Sequence, residues 1–444
     1  MAVKVISKIK SATKKDMFWK NLFKNSFWAF AGETSASLIG LIITVVLIKI
    51  IGSDSYGILI LAQSYMLIMD TVINVQSWKS VIQYGQDCIV KKKNELLDSY
   101  VKLGTILDVS TAILCMIIAL LLARPIGGLF GWPDELIYCS QIFSITIISH
   151  FSGTPTAVLR LYNKFHLVAM QKMLGASIRL AAILIPYLLS GSMDLRMATI
   201  VYCATEIINN LLLILFAIVV YRRHSSLKRV FCAELPKKGS GFISFTIWGT
   251  ISEAVDISVN NLDVFLVSTL GMASVSIYKV FKQCVGVLYK VSSPIQQSIM
   301  PQFSELAAKK NSRRGFEIVI KIHRAMMAIA MPVTLVVGGL SPFWLRIIYG
   351  DMYANEWYIL FVYLIVQTYA LSYSTIHPYF LSLNQPKKSA IYVFVANMAY
   401  FVLALALVGR IGLMGMVLAF AMQCLLVIWL KIISIKRIIQ GVKK

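Results

Sequence analysis

Apolar runs of roughly 20 residues recur along the whole chain, each long enough to cross a hydrocarbon core of about 30 Å as a helix. Inside lipid a spanning backbone must satisfy its own hydrogen bonds, so the choice is helix or closed barrel. The alternating polarity of a barrel strand is absent here. An all-α polytopic membrane protein follows, with spans expected near 25–51, 56–79, 103–123, 137–159, 170–190, 197–221, 241–268, 276–301, 322–343, 357–383, 389–408 and 412–433. Composition agrees: mean hydropathy is +0.74 and only 14% of residues are charged.

The formal net charge of +23 raises nucleic acid as a partner, and its placement argues against that. Thirty-four of the 43 Lys and Arg fall on one alternating set of connections, from the seven lysines of the tail to Lys431, Lys436, Arg437, Lys443 and Lys444. Five fall on the other set: Lys49, Arg124, Arg196, Arg346 and Arg410. By the positive-inside rule both termini are cytoplasmic, as an even number of spans requires. The basic loops read as topology and contact with anionic membrane lipids. Seven cysteines without a CxxC pair suggest neither a disulfide framework nor a zinc site.

The expected organisation is a basic cytoplasmic tail over 1–24, a six-helix bundle over 25–221, a cytoplasmic linker over 222–240, a second six-helix bundle over 241–433 and a basic tail over 434–444. Landmarks repeat at a shift of about 220 residues: Trp28 and Glu33 with Trp248 and Glu253, Gly52 with Gly271, Gly131 with Gly350, and Asn163 with Asn384. A shift of six spans keeps the two halves in the same orientation. Transporters built this way place substrate between their halves.

Four cations fall inside spans: Arg179, Lys279, Lys282 and Lys290. Seven acids do too: Glu33, Asp70, Asp108, Glu206, Glu253, Asp256 and Asp263. Each is costly against lipid and must face protein or water. Glu253, Asp256, Asn260 and Asp263 share one helical face, and Lys279, Lys282, Gly286 and Lys290 share another. Equal depth in the hairpin puts Asp263 near Lys282, and Glu253 or Asp256 near Lys290. The same arithmetic puts Arg179 opposite Glu206. Two readings stay open for these groups: ion pairs that hold helices together, or a hydrated cavity where lysines meet an anion and acids carry coupling protons. His150 and His377 read as hydrogen-bonded core residues, and Pro155 and Pro378 as kinks.

The basic tail, Asn25-x-x-Trp28, the Ile50-Ile51-Gly52 turn, Tyr56-Gly57 and the six-plus-six layout resemble a Wzx-type polysaccharide flippase. That family belongs to the multidrug/oligosaccharidyl-lipid/polysaccharide exporter superfamily, together with MATE drug exporters and lipid II flippases. The resemblance covers nearly the whole chain by layout rather than by one motif. It implies a protein of the bacterial cytoplasmic (inner) membrane that flips undecaprenyl-pyrophosphate-linked oligosaccharide outward by alternating access, for O-antigen or a similar polysaccharide. It also implies polymerase machinery as a neighbour, and a V-shaped cavity lined by the first, second, seventh and eighth spans. Lys279, Lys282, Lys290 and Arg179 are the candidate substrate contacts. Glu33, Asp70, Glu253, Asp256 and Asp263 are the candidate coupling or cavity acids. No cofactor is expected beyond a coupling proton or sodium ion. A MATE-like cation-coupled drug exporter is the alternative, since the four cavity helices hold five acids against three lysines. An enzyme is not expected, because no DxD motif and no loop large enough to carry chemistry occur.

Overall fold

A computed structural model describes residues 27–28, 30–75, 77–236, 241–308 and 311–441, without the side chains of 190, 249, 251–260, 290–298, 300–302, 304–305, 307–308, 386 and 441. Among the described residues every regular element is helical. The long helices are α1 (Phe30–Ile51), α2 (Ser53–Ile73), α4 (Asn94–Phe130), α7 (Phe165–Ser190), α8 (Leu195–Tyr221), α10 (Phe242–Ser268), α11 (Met272–Ala308), α12 (Ser312–Gly339), α17 (Pro386–Ile411) and α18 (Leu413–Gly441). Shorter helices lie between them: α3 (Trp78–Val90), α5 (Asp134–Thr146), α6 (Gly153–Leu161), α9 (Leu227–Cys232), α13 (Ser341–Tyr349), α14 (Asp351–Asn355), α15 (Trp357–Ser372) and α16 (Ile376–Ser382).

Nine helical segments among the described residues are long and apolar enough to cross a membrane, and α5 with α6, bent by 41°, makes a tenth. Helices α10 and α11, of 27 and 37 residues, hold the acidic and basic stripes noted above. With them the layout is consistent with twelve spans. Two details differ from the sequence reading. The stretch 80–102, expected as a loop, contains α3 and the first turns of α4. Its mixed polar and apolar residues hide it from a search for apolar runs. Pro155 and Pro378 do not kink helix interiors. Each lies in the first turn of a short helix, α6 and α16, where a proline loses no intrahelical hydrogen bond. The breaks precede them.

The chain divides into two compact units, Met1–Val46 with Ala62–Asn261, and Leu47–Leu61 with Leu262–Lys444. In the first unit, Val81, Tyr100, Ala157, Leu213 and Phe242 belong to one buried cluster. In the second, Phe303, Val319, Tyr379, Phe380 and Ile435 form another. The hairpin between α1 and α2 belongs to the second unit, and Gly57 lies at its close approach to α11. A Cβ there would lie 2.0 Å from the carbonyl oxygen of Met272, so only a bare Cα permits the approach.

The repeat has a backbone cause. Gly52 and Gly271 have φ of +79° and +100°, Gly131 and Gly350 have +62° and +100°, and Asn163 and Asn384 have +55° and +57°. Asn163 closes the connection after α6, and Asn384 the one after α16. Asparagine tolerates the left-handed region better than other side-chain-bearing residues. The matched landmarks therefore mark turns in both halves that need a positive φ.

Candidate functional site

In the second unit the α10–α11 hairpin brings Asp263 and Lys282 together. Lys282 Nζ donates to Asp263 Oδ2 at 2.5 Å, and the Tyr278 hydroxyl donates to the same oxygen at 2.7 Å. Asp263 is buried, and its Oδ1 has no hydrogen-bond partner among the described residues. Buried Tyr363 and Tyr400 close in around this group. Lys279, one turn before Lys282, is half-buried and makes no hydrogen bond or ion pair among the described residues. Its surroundings include Lys282 and Asp263. Glu253, Asp256 and Lys290 lie outside the residues whose side chains are described.

The first unit holds a longer polar network. The Arg179 guanidinium on α7 pairs with Glu206 on α8, donates from Nε to Thr205 Oγ1 at 3.1 Å, and lies 4.0 Å from the centroid of the Tyr202 ring. Arg179 is thus an ion-paired, stacked side chain. Asp70, at the end of α2, is buried. Its Oδ1 accepts from Asn74 Nδ2 at 2.8 Å, and its Oδ2 lies 3.0 Å from His150 Nδ1. Glu33 on α1 accepts from Lys172 on α7 at 2.9 Å, and both side chains are well exposed.

A second buried carboxylate, Asp108, accepts from the Ser77 backbone N–H and hydroxyl at 2.8 and 3.0 Å, and from the Thr154 backbone N–H and hydroxyl at 2.6 and 2.8 Å. These donors lie at the first turns of α3 and α6, where orphan N–H groups and the helix dipole both favour a negative charge. Asp98 ties the end of α8 and the start of α9 to α4. It accepts from the Tyr221 hydroxyl at 2.6 Å and the Ser225 hydroxyl at 3.0 Å, with Arg229 Nη2 at 3.2 Å. On the amphipathic α3, the hydrogen bond and charge of Asp87 hold the exposed Lys91 ammonium above its ordinary range. Among the described residues no three His, Cys, Asp or Glu are placed to hold a metal ion.

Two features escape the sequence. His150, read as a core histidine, is the partner of Asp70 at a helix break. The nearest sequence signal was the breaker pattern around Gly153 and Pro155. Lys431, read as a cytoplasmic cation, is buried at 3% exposure within α18. Its Nζ lies 3.1 Å from His377 Nδ1. A lysine at the end of an apolar run reads as a topological charge unless tertiary packing is known.

The sequence profile of a family described as polysaccharide biosynthesis protein matches residues 75–356. A curated relative, the inner membrane protein YghQ of Escherichia coli (strain K12), is 24% identical over 157 residues, 35% of this chain and 44% of the relative. That match spans less than half of the relative's length. The solved structure of the lipid II flippase MurJ in an inward closed conformation superposes with a TM-score of 0.69 at 16% identity, covering 92% of this chain and 87% of that one. An inward-facing multidrug resistance MATE family transporter of the MOP superfamily superposes with a TM-score of 0.66 at 10% identity, covering 94% and 96%. At such identities the likeness is one of fold. It agrees with the apolar helices in making the chain an all-helical, multi-pass membrane protein.

Proposed function

The chain belongs to the polysaccharide biosynthesis protein family, and from that premise we propose that it moves an undecaprenyl-pyrophosphate-linked oligosaccharide from the cytoplasmic to the outer leaflet by alternating access. The family match over 75–356 carries the assignment. The MurJ-like and MATE-like fold supports transport rather than catalysis. The basic connections support an orientation with both termini in the cytoplasm of a bacterium, with the outward-facing loops short. The substrate is then made on the basic side and delivered to a polymerase on the other.

Within this reading Lys279 is the pyrophosphate contact. A lysine serves phosphate as a point charge. Lys282 and Arg179 already have carboxylates, whereas Lys279 has none among the described residues. Coupling uses a proton or sodium gradient, because the chain lacks a GxxxxGK[ST] nucleotide motif. Glu33 and Glu253, at equivalent places in the repeat, are coupling acids.

The test is made in cells of the source organism. Deletion is expected to trap the lipid-linked oligosaccharide on the cytoplasmic leaflet, and Lys279→Gln is expected to do the same at an unchanged protein level. Normal export by Lys279→Gln would remove the pyrophosphate contact. Normal export by the deletion strain, with new sensitivity to cationic drugs, would replace the reading by a drug exporter.

A further inference from the structure

We propose that the Asp70–His150 pair is a proton-binding site that sets the bend between α5 and α6, and that a proton rather than sodium is the ion this site takes. Its role in transport rests on the flippase reading; its existence as a proton site does not.

The site lies where two helices break together. Helix α2 ends at Ile73, one turn after Asp70, and α5 runs into a 3-10 turn, Ile147–Ser149, that ends on His150. Asn74 bolts the two breaks, donating Nδ2 to Asp70 Oδ1 at 2.8 Å and reaching the His150 carbonyl at 3.4 Å. Thr111 on α4 donates to Asn74 Oδ1 at 2.9 Å. The Thr111 hydroxyl also faces the Leu107 carbonyl at 2.8 Å, and it is the carboxylate itself, as an acceptor, that sets the amide nitrogen toward Asp70. The polar seam continues from Ser149, whose hydroxyl accepts from Asn210 Nδ2 on α8 at 3.0 Å.

The donors decide which ion fits. A metal cation needs several oxygen ligands with free lone pairs. Here an imidazole nitrogen and an amide nitrogen already face the two oxygens of Asp70, and the Asn74 oxygen lies 2.9 Å from the Thr111 hydroxyl. Facing a carboxylate, His150 Nδ1 carries a proton, which leaves Nε2 as the position that changes. Nε2 is buried, with no hydrogen-bond partner among the described residues. As a bare acceptor it is tolerable. Taking a proton from water turns it into a buried N–H with nothing to donate to, which disfavours this geometry. The imidazolium keeps its attraction to Asp70 and gains a reason to move the break until Nε2–H meets water or an acid.

Among the described residues, the other charged and titratable groups near the site are held elsewhere. On α4, Asp108 is committed to Ser77 and Thr154, and the Cys115 thiol is buried. On α8, Glu206 also acts on His150 and is held by Arg179 of α7. Arg160 on α6 is turned to the Trp78 ring of α3, 4.7 Å away.

The test uses the full chain in lipid nanodiscs, with no substrate. Side-chain 15N resonances of histidine are followed against pH, with His150→Gln for assignment. Bio-orthogonal spin labels at Glu135 and Lys164 report the two ends of the bent span by pulsed EPR. The His150 ring resonances are expected to pass through one protonation step as the pH falls. Its midpoint is expected to fall by about one unit or more in Asp70→Asn, which keeps the shape and removes the charge that favours the imidazolium. The label distance is expected to shift with the same midpoint, to be unmoved by exchanging sodium for potassium, and to lose its pH response in His150→Gln. A His150 that does not titrate, a midpoint indifferent to Asp70→Asn, a distance indifferent to pH, or a response to sodium would each overturn the proposal. If the titration and the shift occur in a protein that flips no lipid, the proton site stands and the flippase reading fails.

Discussion

Replacing Asp108 with alanine tests how the first unit holds its helix breaks. The carboxylate is 1% exposed and receives four hydrogen bonds, two from backbone N–H groups and two from hydroxyls. In Asp108→Ala the hydroxyls of Ser77 and Thr154 keep each other, since they already lie 3.0 Å apart. The two backbone donors keep nothing, and the site is too buried for water to reach from outside. Each orphaned buried group costs about 1–3 kcal/mol, so the expected loss is about 2–6 kcal/mol. Asp108→Asn retains one acceptor oxygen and turns its amide NH2, a donor, toward one of the N–H groups, so its loss is about half as large, about 1–3 kcal/mol. With the exposed Cys232 and the half-buried Cys284 and Cys424 replaced by serine, the buried Cys88, Cys115, Cys139 and Cys203 provide the assay, because their thiols react with a maleimide dye only when the bundle opens. In an SDS titration read by that reaction, the order of stability is expected to be parent, Asp108→Asn, Asp108→Ala. An alanine variant within about 0.5 kcal/mol of the parent, the range of an ordinary surface change, would refute the account of Asp108 as the cap of α3 and α6.

Gly57→Ala is expected to abolish accumulation of folded protein, because its Cβ would meet the Met272 carbonyl oxygen at 2.0 Å. Gly40→Ala, with nothing within 4 Å, is expected to melt at or above the parent temperature. Arg179→Leu is expected to cost about 3–5 kcal/mol by leaving Glu206 uncompensated, and Arg179→Leu with Glu206→Leu to recover most of it. A double variant as unstable as the single one in the same SDS titration would show that the pair does not act as a unit. Lys431→Met fills the same space without a charge and is expected to melt no lower than the parent, because among the described residues no carboxylate lies beside this buried lysine. A fall of several degrees would mean that the charge is used.

What the sequence made legible was what lipid dictates. Long apolar runs gave the spans, and basic connections gave an expected orientation, because the cost of burying charge in hydrocarbon acts residue by residue. Hairpin depth sufficed to pair Asp263 with Lys282 and Arg179 with Glu206, since two helices joined by a short turn leave little freedom along the axis. The same arithmetic could not find Asp70 with His150, which are 80 residues apart and meet at breaks in two separate spans. It could not find α3, whose apolar residues cover only one face. It misplaced Lys431, because burial in a bundle depends on neighbours from α16 and α17 that no local window contains. The repeat was visible only as scattered landmarks, and the positive φ at Gly52, Gly131, Asn163 and their counterparts gives those residues a backbone role that the helices between them do not share.

The central claim is tested most directly by reconstitution. Purified full-length protein in liposomes is given an undecaprenyl-pyrophosphate-linked oligosaccharide in the inner leaflet, and a glycosidase outside reports each headgroup that crosses. Cleavage is expected to depend on the protein, to accelerate with an imposed pH gradient, and to drop at least tenfold in Lys279→Gln. Cleavage no faster than in protein-free liposomes, in samples whose buried thiols show the bundle to be folded, would contradict it.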